Sequence, residues 1–171
     1  MSHGDLKPAN TLVFRDGAGE TYARLADFGY AGWAIGNTDN ILVHPPRSRP
    51  WDAPEYHHRG FTAPAARKLD VYSFGLLCLW LLFFDKPSPG DSVANNKCES
   101  QWPLDDYELL DRMKHEDTLR DFACSQVEST QSLSANEKAD LIHFFLSVIV
   151  SDSKKRATNF GGLIILLGYR W

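Results

Sequence analysis

One stretch limits the possible architectures more than any other. From Phe74 to Phe84 the chain is almost wholly apolar, and Leu69-Asp70-Val71-Tyr72-Ser73 leads into it. Read as a helix from about Leu69 to Phe84, it carries apolar surface nearly all round, the pattern of a helix enclosed on every side. It is far shorter than the roughly 20 apolar residues that span a bilayer. It is therefore predicted to be a buried core helix, ended by Lys86-Pro87-Ser88-Pro89-Gly90. A chain of 171 residues, 43% of them hydrophobic, is long enough to build one domain around it. The net charge of −4 supplies no basic field for nucleic acid or anionic membrane. Cys78, Cys98 and Cys124 are odd in number and share no metal-ligand spacing, which points to a reduced, intracellular and cytoplasmic setting.

On either side of the core helix the elements are shorter. Leu12 to Phe14 and Thr21 to Leu25 read as strands, and Arg15-Asp16-Gly17-Ala18-Gly19-Glu20 between them has hairpin-turn chemistry. Residues 30 to 50 carry several Gly, Asn and Pro and read as a long loop. Asp91 to Pro103 is polar and turn-rich. Leu104 to Cys124 predicts one or two amphipathic helices with Tyr107, Leu109, Leu110, Met113, Leu119 and Phe122 as the apolar positions. Ser134-Ala135-Asn136-Glu137 is a capping box opening a further helix over Leu141, Ile142, Phe144, Phe145, Val148 and Ile149. Asn159 to Trp171 reads as helical despite three glycines.

The chemistry concentrates at the start, in Ser2-His3-Gly4-Asp5-Leu6-Lys7-Pro8-Ala9-Asn10. An Asp five residues before an Asn, with a Lys between, suits phosphoryl transfer. The Asp can orient a hydroxyl and accept its proton, the Lys can offset phosphate charge, and the Asn oxygen can ligate a hard cation such as Mg²⁺. The hairpin would bring Asp5, Asn10 and Asp27 to one end of a two-stranded ribbon. Each residue also has a plainer reading: a turn aspartate for Asp5, a solvated lysine for Lys7, an Asx turn for Asn10, a strand-end acid for Asp27. His57-His58 is a poor zinc site, since adjacent side chains diverge and no third ligand sits at spacing.

The opening stretch resembles the catalytic loop of eukaryotic-type protein kinases, H-R-D-L-K-P-x-N. Four further segments resemble that family in the same order: Leu25-Ala26-Asp27-Phe28-Gly29, Trp51-Asp52-Ala53-Pro54-Glu55, Leu69-Asp70-Val71-Tyr72-Ser73-Phe74-Gly75, and Asp152-Ser153-Lys154-Lys155-Arg156-Ala157-Thr158. The resemblance implies a mainly α fold, the kinase C-lobe, with helices around a buried central helix and a short β-hairpin at the catalytic loop. It implies transfer of the ATP γ-phosphate to Ser or Thr of a protein substrate with Mg²⁺, by Asp5 and Lys7, with Lys7, Asn10 and Asp27 on nucleotide and metal. It makes His3, Phe28 and Gly29 packing residues and pairs Glu55 with Arg156. It places Asp70 on the catalytic-loop backbone, where the plainer reading is a helix N-cap. It sets Ser48 against Asp5 and Lys7, although an ordinary loop serine fits the sequence nearly as well.

Gly4 stands where most of that family have Arg, so loop phosphorylation is not expected to switch activity on. His-Gly-Asp also resembles aminoglycoside phosphotransferases, but those lack the A-P-E and D-V-x-S-F-G segments, which favours a protein substrate. A non-catalytic, kinase-derived binding module is the other reading. No glycine-rich loop and no V-A-I-K-type lysine occur in the sequence, so residues 1–171 are expected to be a partial kinase domain without its N-lobe. Alone, such a chain is expected to transfer phosphate negligibly and to aggregate.

Overall fold

A computed structural model describes residues 1–32, 42–84 and 106–158 of the chain. The expected helix at 159–171, the turn-rich 91–103 and the helix terminator at 86–90 lie outside the described residues.

The described residues are mainly helical, with four helices and two small antiparallel sheets. Strand β1 (Thr11–Arg15) pairs with β2 (Thr21–Leu25) in a register that sets Thr11 opposite Leu25 and Arg15 opposite Thr21. Asp16 shapes the turn: its Oδ1 accepts from the amides of Ala18 and Glu20, both at 2.9 Å. A 3-10 turn over Pro8–Asn10 leads into β1, and a second over Phe28–Tyr30 follows β2. Within the expected long loop, β3 (Leu42–Val43) pairs with β4 (Phe61–Thr62). Strands of two residues leave too little alternation to be read from sequence.

Helix α1 (Ala63–Phe83) is the central helix. It starts six residues before the expected Leu69. Pro64 suits the first turn, where its missing N–H costs nothing, and Ala65, Ala66, Arg67 and Lys68 are good helix formers. The apolar pattern begins later than the helix does. Val71, Tyr72, Leu76 and Leu79 are fully buried, but Phe74, Leu77 and Cys78 are only partly buried and Leu81 and Leu82 near the end are exposed, so the helix is not enclosed on every side.

The expected amphipathic segment folds as two helices, α2 (Tyr107–His115) and α3 (Thr118–Ser129), the second running beyond Cys124. Asp106 caps α2 by accepting from the amides of Glu108 and Leu109. Leu110 and Leu119 are buried as expected, whereas Tyr107 and Leu109 are exposed. The capping box opens α4 (Ala135–Val148): Glu137 N donates to Ser134 Oγ at 3.3 Å and Ser134 N to Glu137 Oε2 at 2.8 Å.

The core joins these helices. Leu76 and Leu79 of α1 share it with Leu119, Ala123 and Val127 of α3 and with Phe144, Phe145 and Val148 of α4. Gly75 lets α1 and α4 approach, since a Cβ there would lie 2.6 Å from a methyl of Val148. Among the described residues no helix is long and apolar enough to cross a membrane.

Candidate active site

The site sits where residues 2–10 cross the N-terminal half of α1. Asp70, well inside that helix, turns its carboxylate to the backbone of residues 3 and 4. Oδ2 accepts from His3 N at 2.6 Å and Oδ1 from Gly4 N at 2.9 Å. It is therefore not the helix N-cap, because α1 begins seven residues earlier. Burial raises the pKa of Asp70, against the downward pull of those two amides.

His3 fastens the loop from its other side. Its Nε2 lies 2.9 Å from Ala26 O and its Nδ1 3.3 Å from Asp5 N. A carbonyl only accepts and an amide only donates, so the ring carries its proton on Nε2 and accepts at Nδ1. Phe28 leans on the ring at 5.0 Å. Phe28 itself is 49% exposed, so among the described residues it is a half-covered neighbour rather than an enclosed packing residue.

This framework holds Asp5 at 5% exposure with donors on both carboxylate oxygens. Ser48 Oγ donates to Oδ1 at 2.6 Å. Lys7 Nζ meets Oδ2 at 2.7 Å, and Asn10 Nδ2 donates to the same oxygen at 3.0 Å. Lys7 Nζ also donates to Ser48 Oγ at 3.1 Å. Asn10 Nδ2 reaches Asp5 O as well, at 2.8 Å. Asp5, Lys7, Asn10 and Ser48 thus form one hydrogen-bonded cluster across 43 residues of sequence.

Gly4 permits the geometry. It has φ +86°, and a Cβ there would lie 2.6 Å from Tyr30 O. An arginine in this backbone would be strained and would clash.

Asp27 follows Ala26, whose amide donates to Asn10 O at 2.9 Å, so the hairpin base sets Asp27 beside Asn10. Asp27 adopts φ 60°, and its Oδ1 accepts from Gly29 N at 3.3 Å. Asn10 Oδ1 and the second carboxylate oxygen of Asp27 hold no hydrogen bond among the described residues. Asn10 and Asp27 thus supply oxygens of the kind a hard cation takes, while no cluster of three His, Cys, Asp or Glu side chains that could hold a metal occurs among the described residues.

Behind the cluster, Glu55 and Arg156 meet across 101 residues of sequence in a two-pronged pair, with Nη1 2.6 Å from Oε1 and Nη2 2.9 Å from Oε2. The buried guanidinium also donates to Val150 O and Lys68 O and lies 4.7 Å from the Tyr72 ring. His57 stacks on Phe61 and His58 stands edge-on to Tyr56, so the two imidazoles serve separate ring contacts.

Sequence reasoning missed Lys114. This lysine of α2 is 2% exposed and donates to Pro50 O and Asp52 O, each at 2.7 Å, with Asp52 Oδ1 at 3.3 Å. Burial lowers its pKa, while Asp52 pulls it back up. One signal was available: Lys114 lies four residues after Leu110, on the buried face of α2.

A buried acid joined to a lysine, an amide and a serine is an arrangement suited to phosphoryl transfer. The sequence matches the protein kinase domain family over residues 1–163, and the chain belongs to that family. Among curated relatives it is similar to the receptor-like kinase TMK2 of Arabidopsis thaliana, 38% identical over 80 residues, covering 47% of this chain and 8% of that protein. It is also similar to the L-type lectin-domain containing receptor kinase SIT2 of Oryza sativa subsp. japonica, 33% identical over 103 residues, 60% of this chain and 14% of that one. The calmodulin-binding receptor-like cytoplasmic kinase 3 of Arabidopsis thaliana is 30% identical over 107 residues, 61% of this chain and 20% of that protein. The chain thus spans a fifth or less of the length of these relatives.

Proposed function

We propose that residues 1–171 supply the C-lobe portion of a protein kinase domain that transfers the γ-phosphate of ATP to a Ser or Thr hydroxyl of a protein substrate. The observation that carries this reading is the Asp5 carboxylate, which receives Ser48, Lys7 and Asn10 together. In this reading an acceptor hydroxyl replaces Ser48 at Oδ1 and passes its proton to Asp5. Lys7 faces the same point and offsets charge on the transferred phosphoryl group. Asn10 orients Asp5 with its nitrogen and keeps its oxygen for a cation, which Asp27 shares. Mg²⁺, when bound there, would neutralise phosphate charge.

The Lys7–Ser48 contact supports Ser/Thr over Tyr acceptors, and the A-P-E and D-V-x-S-F-G segments support a protein over a small-molecule acceptor. The two cysteines among the described residues, Cys78 and Cys124, are free thiols, which with an odd total of three supports an intracellular setting. Residues 1–171 hold no glycine-rich phosphate loop and no strand lysine for the α- and β-phosphates. Alone they are expected to bind nucleotide weakly and to transfer slowly.

Labelled ATP with Mg²⁺ and generic protein substrates tests the reading, followed by phosphoamino-acid analysis. Phosphoserine or phosphothreonine is expected, with the rate cut about 10²–10⁴-fold by Asp5→Ala. Labelling that Asp5→Ala leaves intact, or that falls on tyrosine or on aminoglycosides, would overturn it. Mg²⁺-dependent nucleotide binding that persists in Asp27→Ala would remove that residue from the metal site.

A further inference from the structure

Among the described residues the segment from Ser48 to Asp52 hydrogen-bonds to the candidate catalytic loop through Ser48. Ser48 Oγ reaches Asp5 and receives Lys7. The next carbonyls in the chain face the other way, and side chains of two helices take three of them in succession. Lys114 of α2 donates to Pro50 O at 2.7 Å, Ser73 of α1 donates to Trp51 O at 2.7 Å, and Lys114 donates again to Asp52 O at 2.7 Å. The Trp51 amide closes a turn back onto Ser48 O, also at 2.7 Å. Arg47 and Arg49 flank Ser48 and pair with Asp52 and with Asp111 of α2.

A buried ammonium is stable only when its protons are taken, and here the acceptors are two backbone carbonyls and one carboxylate. Carbonyls are fixed to the chain path, so this ammonium fixes where the chain runs. Core packing alone would place an apolar residue at this position of α2.

We infer that Lys114 is a positioning residue. It locks the segment 48–52 onto α2 and so sets where the Ser48 hydroxyl stands against Asp5, which makes α2 a remote determinant of the geometry at the acid. Its consequence for transfer rests on the kinase reading above; the mechanical coupling does not.

The test is amide hydrogen exchange on the 171-residue chain, comparing wild type, Lys114→Met and Lys114→Arg. Loss of the charged donor is expected to speed exchange at the Trp51 amide by about ten- to a hundredfold. The Ile149 amide, which donates to Phe145 O behind the site, should keep its rate. Lys114→Arg retains a cation with several donors and is expected to bring Trp51 back to within about threefold of wild type. An unchanged Trp51 rate in Lys114→Met overturns the proposal, and so does equal acceleration at Trp51 and Ile149. Lys114→Gln carries the same expectation if Lys114→Met does not fold. Failure of both to fold, with Lys114→Arg folded, overturns positioning in favour of a purely structural role. In the transfer assay Lys114→Met should lower kcat about ten- to a hundredfold with the nucleotide KM unchanged. Transfer that Asp5→Ala leaves intact defeats the kinase reading and leaves the exchange result standing.

Discussion

Phe145 in α4 and Asp5 in the candidate catalytic loop are both almost completely removed from water, yet their neighbours differ in kind. Phe145 meets Phe144 at 5.2 Å and Phe83 at 6.3 Å, and any well-shaped apolar group could serve it. Asp5 meets three donors, each aimed at a particular oxygen. The helical half of the protein is held by area and volume, which are non-directional. The face that carries the site is held by single bonds between named atoms. The first kind of order degrades in proportion to what is removed. The second fails at one atom and leaves the remainder intact.

The contrast breaks most sharply in the core. Phe145→Ala should cost about 3–5 kcal/mol in urea unfolding, through lost transfer energy and the cavity left behind. A loss under about 1 kcal/mol would mean that the helices are not the main source of stability. Arg156→Met should come next, at about 3 kcal/mol. It leaves Glu55 without its partner, but Glu55 keeps 26% of its side-chain surface in water, which holds the effect toward the lower end.

Asp70→Asn should cost about 1–3 kcal/mol, because an amide offers one oxygen where the carboxylate gives two to the His3 and Gly4 amides. It also tests a pH effect. Burial raises the pKa of Asp70 above its ordinary 3.8, so the folded state binds the extra proton between the two values. The contribution is complete below the unfolded pKa and is lost as pH rises through the folded one. Tm measured against pH should show that decline in wild type and not in Asp70→Asn.

Ser48→Ala should cost only about 1 kcal/mol in stability, since Asp5 keeps Lys7 and Asn10. Tyr72→Phe is the smallest and has the opposite sign. The Tyr72 hydroxyl is buried without a hydrogen-bond partner among the described residues, and its removal should leave stability unchanged or raise it by up to about 1 kcal/mol. A loss beyond that would reveal a water or partner on the hydroxyl.

The same contrast explains what could be read in advance. Apolar periodicity announced α1 and α4, and the Ser134–Glu137 spacing announced where α4 starts, because those signals are local. The start of α1 at Ala63 was hidden because its first turn is held by propensity rather than by burial. The polar face was readable only through motif resemblance: nothing in residues 46–50 by themselves sends Ser48 to Asp5. Lys114 carried a clue in its spacing from Leu110, but a lysine on a short amphipathic helix reads first as solvated. The exposure of Phe28, Leu81 and Leu82 was not readable, since exposure depends on what lies opposite and not on the residue itself.

The Glu55–Arg156 pair has a consequence in time. Glu55 leaves the ribosome 101 residues ahead of its partner. At synthesis rates of about 5–20 residues per second, that is a wait of roughly 5–20 s. Helix α1 can coil within microseconds of emerging. The segment carrying Glu55, by contrast, has no Arg156 guanidinium to close upon until those 101 residues have been added. During translation the segment beside the candidate site is therefore latched long after α1 has formed, and a chain stalled between Glu55 and Arg156 would hold helices without that latch.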